Sequence, residues 1–102
     1  MKNIPFDNDF FDICIDRSAI QHNSKEDIYS IYEEIFRVLK KNGRLYSILL
    51  KKGNFHVLKT KLKEFEVKEA LNMYKKIEIN YISTTINNAT EEYISYLIDA
   101  IK

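Results

Sequence analysis

The sequence predicts an α/β fold, and three consecutive segments carry this prediction. A short apolar run, Phe10 to Ile15, is followed by a long amphipathic stretch and then by a second apolar run, Arg44 to Leu50. Short apolar runs of this kind are typical of buried strands, and apolar residues repeating at three and four positions are typical of helices. A strand, a helix and a strand joined by tight connections form a βαβ unit with parallel strands and a right-handed crossover.

The first strand is predicted to be buried on both faces. Phe10 to Ile15 is mostly apolar and rich in β-branched and aromatic side chains, as in the strands of parallel sheets. The single cysteine, Cys14, lies between Ile13 and Ile15 and has no second cysteine with which to form a disulfide. We therefore expect an inert core thiol rather than a nucleophile or a metal ligand.

The clearest helix is predicted within residues 23–43. Ser24 is placed to cap its first turn, with Asp27 three residues further on. Apolar side chains then repeat at helical spacing and should face the core: Ile28, Ile31, Tyr32, Ile35, Phe36 and Leu39.

The end of this helix is marked by charge and by a turn. Glu33 and Arg37 are expected to form an ion pair at a spacing of four residues. Lys40 and Lys41 should complement the helix dipole, and Asn42-Gly43 should stop the helix.

The second half of the chain gives weaker patterns. Residues 51–65 favour a loose helix or a partly ordered loop, and residues 66–74 favour a short helix. Alternation in residues 77–81 predicts a strand with one wetter face. For residues 89–102 periodicity slightly favours a helix, whereas β-branched and aromatic side chains after Asn87-Asn88 favour the return strand of a hairpin.

Composition and charge exclude several classes of protein. The chain has 102 residues, of which 45% are hydrophobic and 30% charged, and this suits one small globular domain. A net charge of +1 provides no global field for nucleic acid or an anionic membrane, so neither is expected as a partner. No apolar run approaches the roughly 20 residues of a membrane span, and residues 1–11 do not resemble a signal peptide. We expect a cytoplasmic protein.

Several motifs occur in one order and at matching spacing over about half of the chain. They are Ile4-Pro5-Phe6, Phe11-Asp12, His22, Glu34, Arg37-Val38-Leu39-Lys40 and Gly43. The set resembles the second half of class I S-adenosylmethionine-dependent methyltransferases (type 11/25-like). That family has Leu-Pro-Phe, a Phe-Asp opening the fourth strand, a histidine at the next helix, and Glu-x-x-Arg-Val-Leu-Lys-Pro-Gly-Gly before the fifth strand. Lys41 and Asn42 replace the proline and the first glycine, and Asn-Gly also makes a tight helix exit.

The resemblance implies the C-terminal half of a Rossmann-like sheet with flanking helices. The strands are expected in the order four, five, seven, six, with the last antiparallel. Ile77 to Thr85 would be strand six, and Tyr93 to Ile101 would be strand seven, in place of the helical periodicity. Residues 1–102 would form one partial domain without the glycine-rich cofactor-binding half, since neither Gly43 nor Gly53 stands in such a motif. The edge of strand four that normally pairs with strand one would then be exposed.

The resemblance also implies site residues. Asp16, Arg17 and Ser18 would lie at the carboxyl end of strand four, where such sheets bind ligands, and would flank the methionine part of the cofactor S-adenosylmethionine and the methyl acceptor. Asp16 is able to accept from an ammonium or to orient a nucleophile, and Arg17 is able to hold a carboxylate. The alternative is a solvated strand end whose charges pair with each other, and we place the functional interpretation ahead.

His22 is the second predicted catalytic residue beside Asp16. An ordinary histidine pKa of about 6.5 suits a general base for the methyl acceptor. Methyl transfer from a sulfonium proceeds largely by proximity and orientation, so a histidine that only shapes the pocket wall is an equal alternative. Pro5 and Phe6 would cover the adenine, or they form an ordinary loop.

The expected function is transfer of a methyl group from S-adenosylmethionine to a small-molecule acceptor, by a chain that is inactive alone and needs a complementary N-terminal half. The alternative is a non-catalytic remnant that dimerises through the exposed edge of strand four. A local basic run admits an acidic or phosphate-bearing acceptor, although a solvated face explains it better: Lys51, Lys52, His56, Lys59, Lys61 and Lys63. Asp7, Asp9 and Asp12 lack the spacing of a calcium loop, and no metal is expected.

Overall fold

The computed structural model describes residues 3–52, 61–86 and 91–102. Strands and helices alternate along these segments, and the α/β class is confirmed. The elements in chain order are β1 Phe11–Arg17, a 3-10 helix Ile20–His22, α1 Lys25–Val38, β2 Leu39–Lys52, α2 Glu64–Ala70, β3 Lys76–Ile86 and β4 Glu91–Ile101.

The four described strands form one sheet in the order β1-β2-β4-β3. β1 pairs with β2 in parallel, and β4 pairs with both β2 and β3 in antiparallel orientation. The strand order four, five, seven, six is therefore confirmed. The last segment is a strand because alternate residues, Tyr96, Ile98 and Ala100, are fully buried, which a helix would not give.

The prediction that β1 is buried on both faces is wrong. Ile13 and Ile15 expose 54% and 77% of their surface, whereas Cys14 between them is half-buried and packs against the core. β1 pairs only with β2 among the described strands, and Ile13 and Ile15 lie on the sheet face opposite the core. We call the face with Ile13 and Ile15 the open face. Burial raises the pKa of the Cys14 thiol, as expected for an unreactive cysteine.

Helix α1 packs its apolar side against the sheet, as predicted. Ile28, Ile31, Tyr32 and Ile35 are buried in one core with residues of β2, α2 and β4. The hydroxyl of Ser24 accepts a hydrogen bond from the Asp27 amide at 3.2 Å, which confirms the predicted N-cap.

The end of α1 differs from the prediction. The helix stops at Val38, and Leu39 is already extended and paired with Phe11 of β1. Its last carbonyl groups accept hydrogen bonds from other parts of the chain: Asp9 N to Arg37 O at 3.0 Å, Phe10 N to Val38 O at 2.8 Å and Lys102 Nζ to Leu39 O at 2.8 Å. These donors satisfy the helix end, so no Asn-Gly stop is needed there.

Asn42 and Gly43 instead lie inside β2, which begins before the predicted Arg44. The pairing of β1 with β2 shifts register at this point, and Asn42 has a φ of 68°. A Cβ on Gly43 would lie 2.8 Å from the Lys40 carbonyl oxygen and 3.0 Å from the Asp12 carbonyl oxygen. The glycine therefore permits a close approach of two backbone segments.

Much of the segment with the loosely predicted helix, residues 53–60, lies outside the described residues, and so do His56 and Lys59 of the basic run and the Asn87-Asn88 turn. The predicted short helix is confirmed as α2, which begins at Glu64. None of the helices in the described ranges has the length and apolar character that crossing a bilayer requires.

Candidate functional site

An open groove runs along β1 and under the loop of residues 3–10. Its volume is about 350 Å³, and its wall is mostly apolar. The lining residues come from the loop, both faces of β1, the turn after β1 and α1: Ile4, Phe6, Phe11, Ile13, Cys14, Ile15, Asp16, Arg17, Ala19, Ile20, Ile35 and Val38.

Asp16 lies at the carboxyl end of β1 with only 9% of its surface exposed. Its Oδ1 accepts hydrogen bonds from the amides of Ala19 at 2.9 Å and Ile20 at 3.2 Å. Its Oδ2 accepts from the hydroxyl of Ser47 on β2 at 2.7 Å. Both oxygens are thus engaged in holding the turn that follows β1, and this favours a structural role for the carboxylate.

A buried hydrogen-bond chain lies behind Asp16. The hydroxyl of Tyr32 is 2.9 Å from that of Ser47, and both residues are fully buried. Since Ser47 donates its one proton to Asp16, Tyr32 must donate to Ser47. Burial raises the pKa of Tyr32 far above its ordinary value, so the phenol keeps the proton it donates. Ser47 was not predicted, although a serine inside the apolar run "RLYSILL" is a detectable signal.

Arg17 and Ser18 follow Asp16 and differ in their position. Arg17 is exposed and lines the groove, and its guanidinium has no hydrogen bond or ion pair with any residue that the structure describes. Ser18 has a φ of 61°, and its amide donates to the Ile48 carbonyl at 3.1 Å. The Ser18 side chain is not part of the groove wall.

The opposite end of the groove is aromatic. Phe6, Phe10 and Phe11 form a cluster with ring centroids 4.8 to 5.1 Å apart, and Phe6 lines the groove. Pro5 is exposed and is not among the lining residues. Phe6 packs on Phe11 at the start of β1, so it lies roughly 20 Å along the strand from Arg17.

The loop that carries Phe6 is held to α1 by hydrogen bonds with the two members of an ion pair on the helix. Arg37 binds Glu34 at 2.6 Å, and not Glu33 as predicted, because it also donates to the Ile4 carbonyl at 2.9 Å and to Asn8 Oδ1 at 2.8 Å. Glu34 accepts in turn from the Ile4 amide at 3.2 Å. The hydrogen bond from Arg37 holds the pKa of Glu34 below its usual range.

His22 ends the 3-10 helix, is exposed, and does not line the groove. Its neighbour Gln21 is buried, and Gln21 Oε1 accepts from the Leu50 amide at 2.7 Å, which ties the turn to the end of β2. No pattern in the sequence predicts this role of Gln21. The structure thus brings Phe6, Asp16 and Arg17 to one groove and leaves His22 outside it.

The chemistry of the groove lining is compatible with one side of a ligand such as S-adenosylmethionine. The groove offers apolar contact for the cofactor and one guanidinium, on Arg17. Asp16 is the acidic side chain of the lining, and both its oxygens already accept hydrogen bonds, so neither is free for ribose hydroxyl groups. Contacts to ribose hydroxyl groups would have to come from residues beyond this groove wall.

Comparison with known families gives one match in sequence. A family model described as a methyltransferase domain matches residues 1–47. No curated protein matches the chain.

Solved structures match over almost the whole chain. An S-adenosylmethionine-dependent methyltransferase from Methanosarcina mazei has a TM-score of 0.70 at 15% identity, covering 99% of this chain and 63% of its own. One from Thermotoga maritima has a TM-score of 0.73 at 15% identity, covering 99% and 60%. Haemonchus contortus phosphoethanolamine N-methyltransferase 2, solved with phosphomonomethylethanolamine and S-adenosylhomocysteine, has a TM-score of 0.72 at 14% identity, covering 95% and 35%. The chain therefore spans only part of the length of these structures, and the resemblance seen in the sequence is confirmed at the level of the fold.

Proposed function

We propose that this chain, which has the fold of class I methyltransferases and matches a methyltransferase domain over residues 1–47, is part of an enzyme that transfers a methyl group from S-adenosylmethionine to a small-molecule acceptor. The observation that carries the proposal is the groove along β1, at the edge of a sheet with the strand order of this fold. Such sheets bind ligands at the carboxyl ends of their strands, where Asp16 and Arg17 lie.

Activity requires a complementary half with the glycine-rich cofactor turn. No other strand of the described residues pairs with the outer edge of β1, and its open face carries Ile13 and Ile15, which are more exposed than the residues of a complete core. A second polypeptide segment that adds a strand to β1 and covers this face would bury both isoleucines and supply the opposite wall of the groove.

A homodimer through β1 fits these observations less well. Two copies of an edge strand pair in antiparallel orientation about a two-fold axis that is perpendicular to the sheet. The open faces of both copies then lie on the same side, so Ile13 and Ile15 stay uncovered. This geometry favours a complementary half over the alternative of a self-associating remnant.

In the proposed enzyme, Phe6 and Arg17 contact ligand, and Asp16 shapes the turn between them and the core. Contacts of Pro5 and Ser18 with the cofactor stay predictions, because neither residue lines the groove. His22 as a general base stays a prediction, because its side chain lies outside the groove in this chain.

Titration of the isotope-labelled chain with S-adenosylhomocysteine, followed by NMR, tests the proposal. We expect weak binding with shift changes concentrated in residues 11–20. Ile15→Lys should abolish it because the lysine enters the groove, and Asn80→Lys, an exposed position on β3, should leave it unchanged. Shift changes elsewhere, or none, would contradict the cofactor site. A stable dimer in light scattering without any binding would favour the remnant.

A further inference from the structure

The sheet ends in a second edge strand, β3, on the side away from β1. Among the described strands β3 pairs only with β4, and the outer edge of its 11 residues has no strand beside it there. Backbone N–H and C=O groups along such an edge are unpaired and are able to bind another strand.

A second groove runs along this edge and is bounded by α2. Its volume is about 470 Å³, and we call it the β3 groove, defined by its lining residues Glu64, Lys68, Ile77, Glu78 and Ile79. Ile77 and Ile79 are half-buried and form the apolar part of this lining. Tyr81 lies on the same face two residues further along β3 and is 50% exposed. The β3 groove is therefore suited to an apolar side chain from a strand that joins the edge.

We propose that this strand is β3 of a second copy of the chain. The two copies pair in antiparallel orientation about a two-fold axis that is perpendicular to the sheet. This axis keeps every side chain on its own face, so one residue of β3 lies opposite its own copy and the residues around it pair symmetrically. The register of the dimer is therefore set by one central residue.

Apolar contacts favour Ile79 as the central residue. Ile79 then lies opposite its own copy, and Ile77 lies opposite the partner's Tyr81. Pairs of aromatic and β-branched side chains of this kind stabilise adjacent strands. A register centred on Asn80 would instead place Ile77 opposite Ser83 and lose this contact.

Charges on the other face of β3 support the same register. Glu78 stands in one row across the sheet with Ile15 and thus lies on the open face. With Ile79 central, Glu78 comes opposite the partner's Asn80, whose side-chain amide donates to a carboxylate. A register centred on Glu78 would place two carboxylates opposite each other, which destabilises a pair of strands.

The two α2 helices contribute a matching pair of charges. The Tyr81 hydroxyl donates a hydrogen bond to Glu64, so the start of α2 lies beside Tyr81. Lys68 lies one turn further along α2, toward the start of β3, and lines the β3 groove together with Ile77. Because Ile77 lies opposite the partner's Tyr81, Lys68 comes near the partner's Glu64. The dimer is thus self-complementary in charge on both faces of the strand.

The dimer joins two four-stranded sheets into one continuous sheet, with a β1 strand at each end. The inference goes beyond the proposed function, because β1 and the groove of the candidate site stay free in each protomer for a complementary half.

Light scattering of the 102-residue chain over a series of concentrations tests the dimer. We expect a dimer that dissociates on dilution, with amide hydrogens of residues 76–82 that exchange more slowly in the dimer than in the monomer. A monomer at every concentration would overturn the proposal. Slower exchange in β1 and not in β3 would overturn it as well.

Substitutions at exposed positions of β3 test the register without disturbing the core. Asn80→Glu places a carboxylate opposite the partner's Glu78 twice in each dimer and should raise the dissociation constant roughly tenfold. Asn80→Lys, the matched control of opposite charge, should lower the dissociation constant. The double variant Glu78→Lys with Asn80→Glu brings opposite charges together again and should restore dimerisation.

The register is overturned if Asn80→Glu leaves the dissociation constant unchanged, or if the double variant dimerises no better than Asn80→Glu alone. Failure of this inference and failure of the proposed function are distinguishable. Binding of S-adenosylhomocysteine by a chain that stays monomeric overturns the dimer alone, whereas a dimer through β3 that does not bind the ligand overturns only the cofactor groove.

Discussion

The hydroxyl of Ser47 connects the core to the candidate site. It lies between Tyr32 of α1 and Asp16 of β1, at 2.9 and 2.7 Å, and none of its surface is exposed. A buried polar atom that loses its partner costs more free energy than the hydrogen bond itself provides. This asymmetry makes Ser47 sensitive to substitution.

Ser47→Ala should lower the free energy of unfolding by about 1–3 kcal/mol, since Asp16 Oδ2 is left without its buried donor. Tyr32→Phe leaves that donor in place and should cost about 1 kcal/mol. Urea denaturation of the two variants and the wild-type chain measures both. If Ser47→Ala lowers the free energy of unfolding no more than Tyr32→Phe does, Asp16 finds another hydrogen-bond partner.

Gly43→Ala should destabilise the chain by about 1–3 kcal/mol, the cost of forcing a side chain into a close contact. The added Cβ would meet the carbonyl oxygens of Lys40 and Asp12 at 2.8 and 3.0 Å. Asn42→Gly is the matched control, because a glycine suits the φ of 68° at that position. A lower melting temperature for Asn42→Gly than for Gly43→Ala would contradict this account.

At the scale of single residues the sequence predicts the site in part. Asp16 and Arg17 were found because charges follow an apolar strand, and their opposite orientations follow from the alternation of a strand. Ser47 and Gln21 were missed because their importance comes from partners in distant segments, Asp16 and the Leu50 amide. No local pattern contains such partners.

At the scale of elements, the carboxyl end of α1 shows how distant residues complete a helix. Lys102 reaches back to it: its Nζ donates to the Leu39 carbonyl, forms an ion pair with Asp9 at 2.9 Å, and lies 4.7 Å from the centre of the Phe36 ring. A cation at this end also complements the helix dipole.

Lys102→Met should lower the free energy of unfolding by about 1 kcal/mol, because it removes this cation and leaves the Leu39 carbonyl without its donor. The side chain is 18% exposed, so solvent replaces it poorly. Lys41→Met, at an exposed lysine in the same part of the chain, is the control for loss of a positive charge. Equal effects of the two variants in urea denaturation would mean that Lys102 acts only through net charge.

The hydrogen bond from the Ile4 amide to Glu34, which holds the loop of residues 3–10 on α1, should depend on pH. Arg37 lowers the pKa of Glu34 in the folded chain relative to its ordinary value of 4.5. A depressed carboxyl pKa stabilises the folded state above the ordinary value, and this contribution is lost as the pH falls through the folded pKa.

We therefore expect the Ile4 amide resonance, which reports the hydrogen bond to Glu34, to change only below pH 4.5. Glu34→Gln should remove this pH dependence. A midpoint at or above pH 4.5 in the wild-type NMR titration would show that Arg37 does not stabilise the charged Glu34 carboxylate that binds the Ile4 amide.

The elements differ in how far local sequence predicts them. The start of α1 was found because Ser24 and Asp27 are neighbours on the chain. Its end was missed because Asp9, Phe10 and Lys102 supply the donors from far away in sequence. β4 illustrates the same limit, since its own periodicity favours a helix and its pairing with β2 and β3 makes it a strand.

At the scale of the whole molecule, one face of the sheet is covered by helices among the described residues, and the other is the open face. α1 and α2 pack on the core side, where Ile98 is fully buried, whereas Ile15 on the open face exposes 77% of its surface. The strand order followed from the family resemblance. The exposure of β1 did not follow from its apolar pattern, because that pattern is suited to neighbours that the described part of the chain does not supply.

Ile15→Lys should change the free energy of unfolding by no more than about 0.5 kcal/mol, as for other exposed positions. It should also reduce binding of a hydrophobic dye, because it charges the apolar patch. Ile98→Lys, on the core side of β4, should unfold the chain, since its charge would be buried without a partner. Strong destabilisation by Ile15→Lys would mean that the open face is covered.

The contact between Lys102 and Asp9 spans 93 positions of the chain, nearly its whole length. During synthesis the loop with Phe6 leaves the ribosome before the lysine that helps to hold it, which is made 93 residues after Asp9. The wall of the groove therefore cannot be completed until Lys102 has been made. Newly made chains would carry an exposed aromatic cluster until β4 and Lys102 dock, and this interval is when they are open to chaperones and to aggregation.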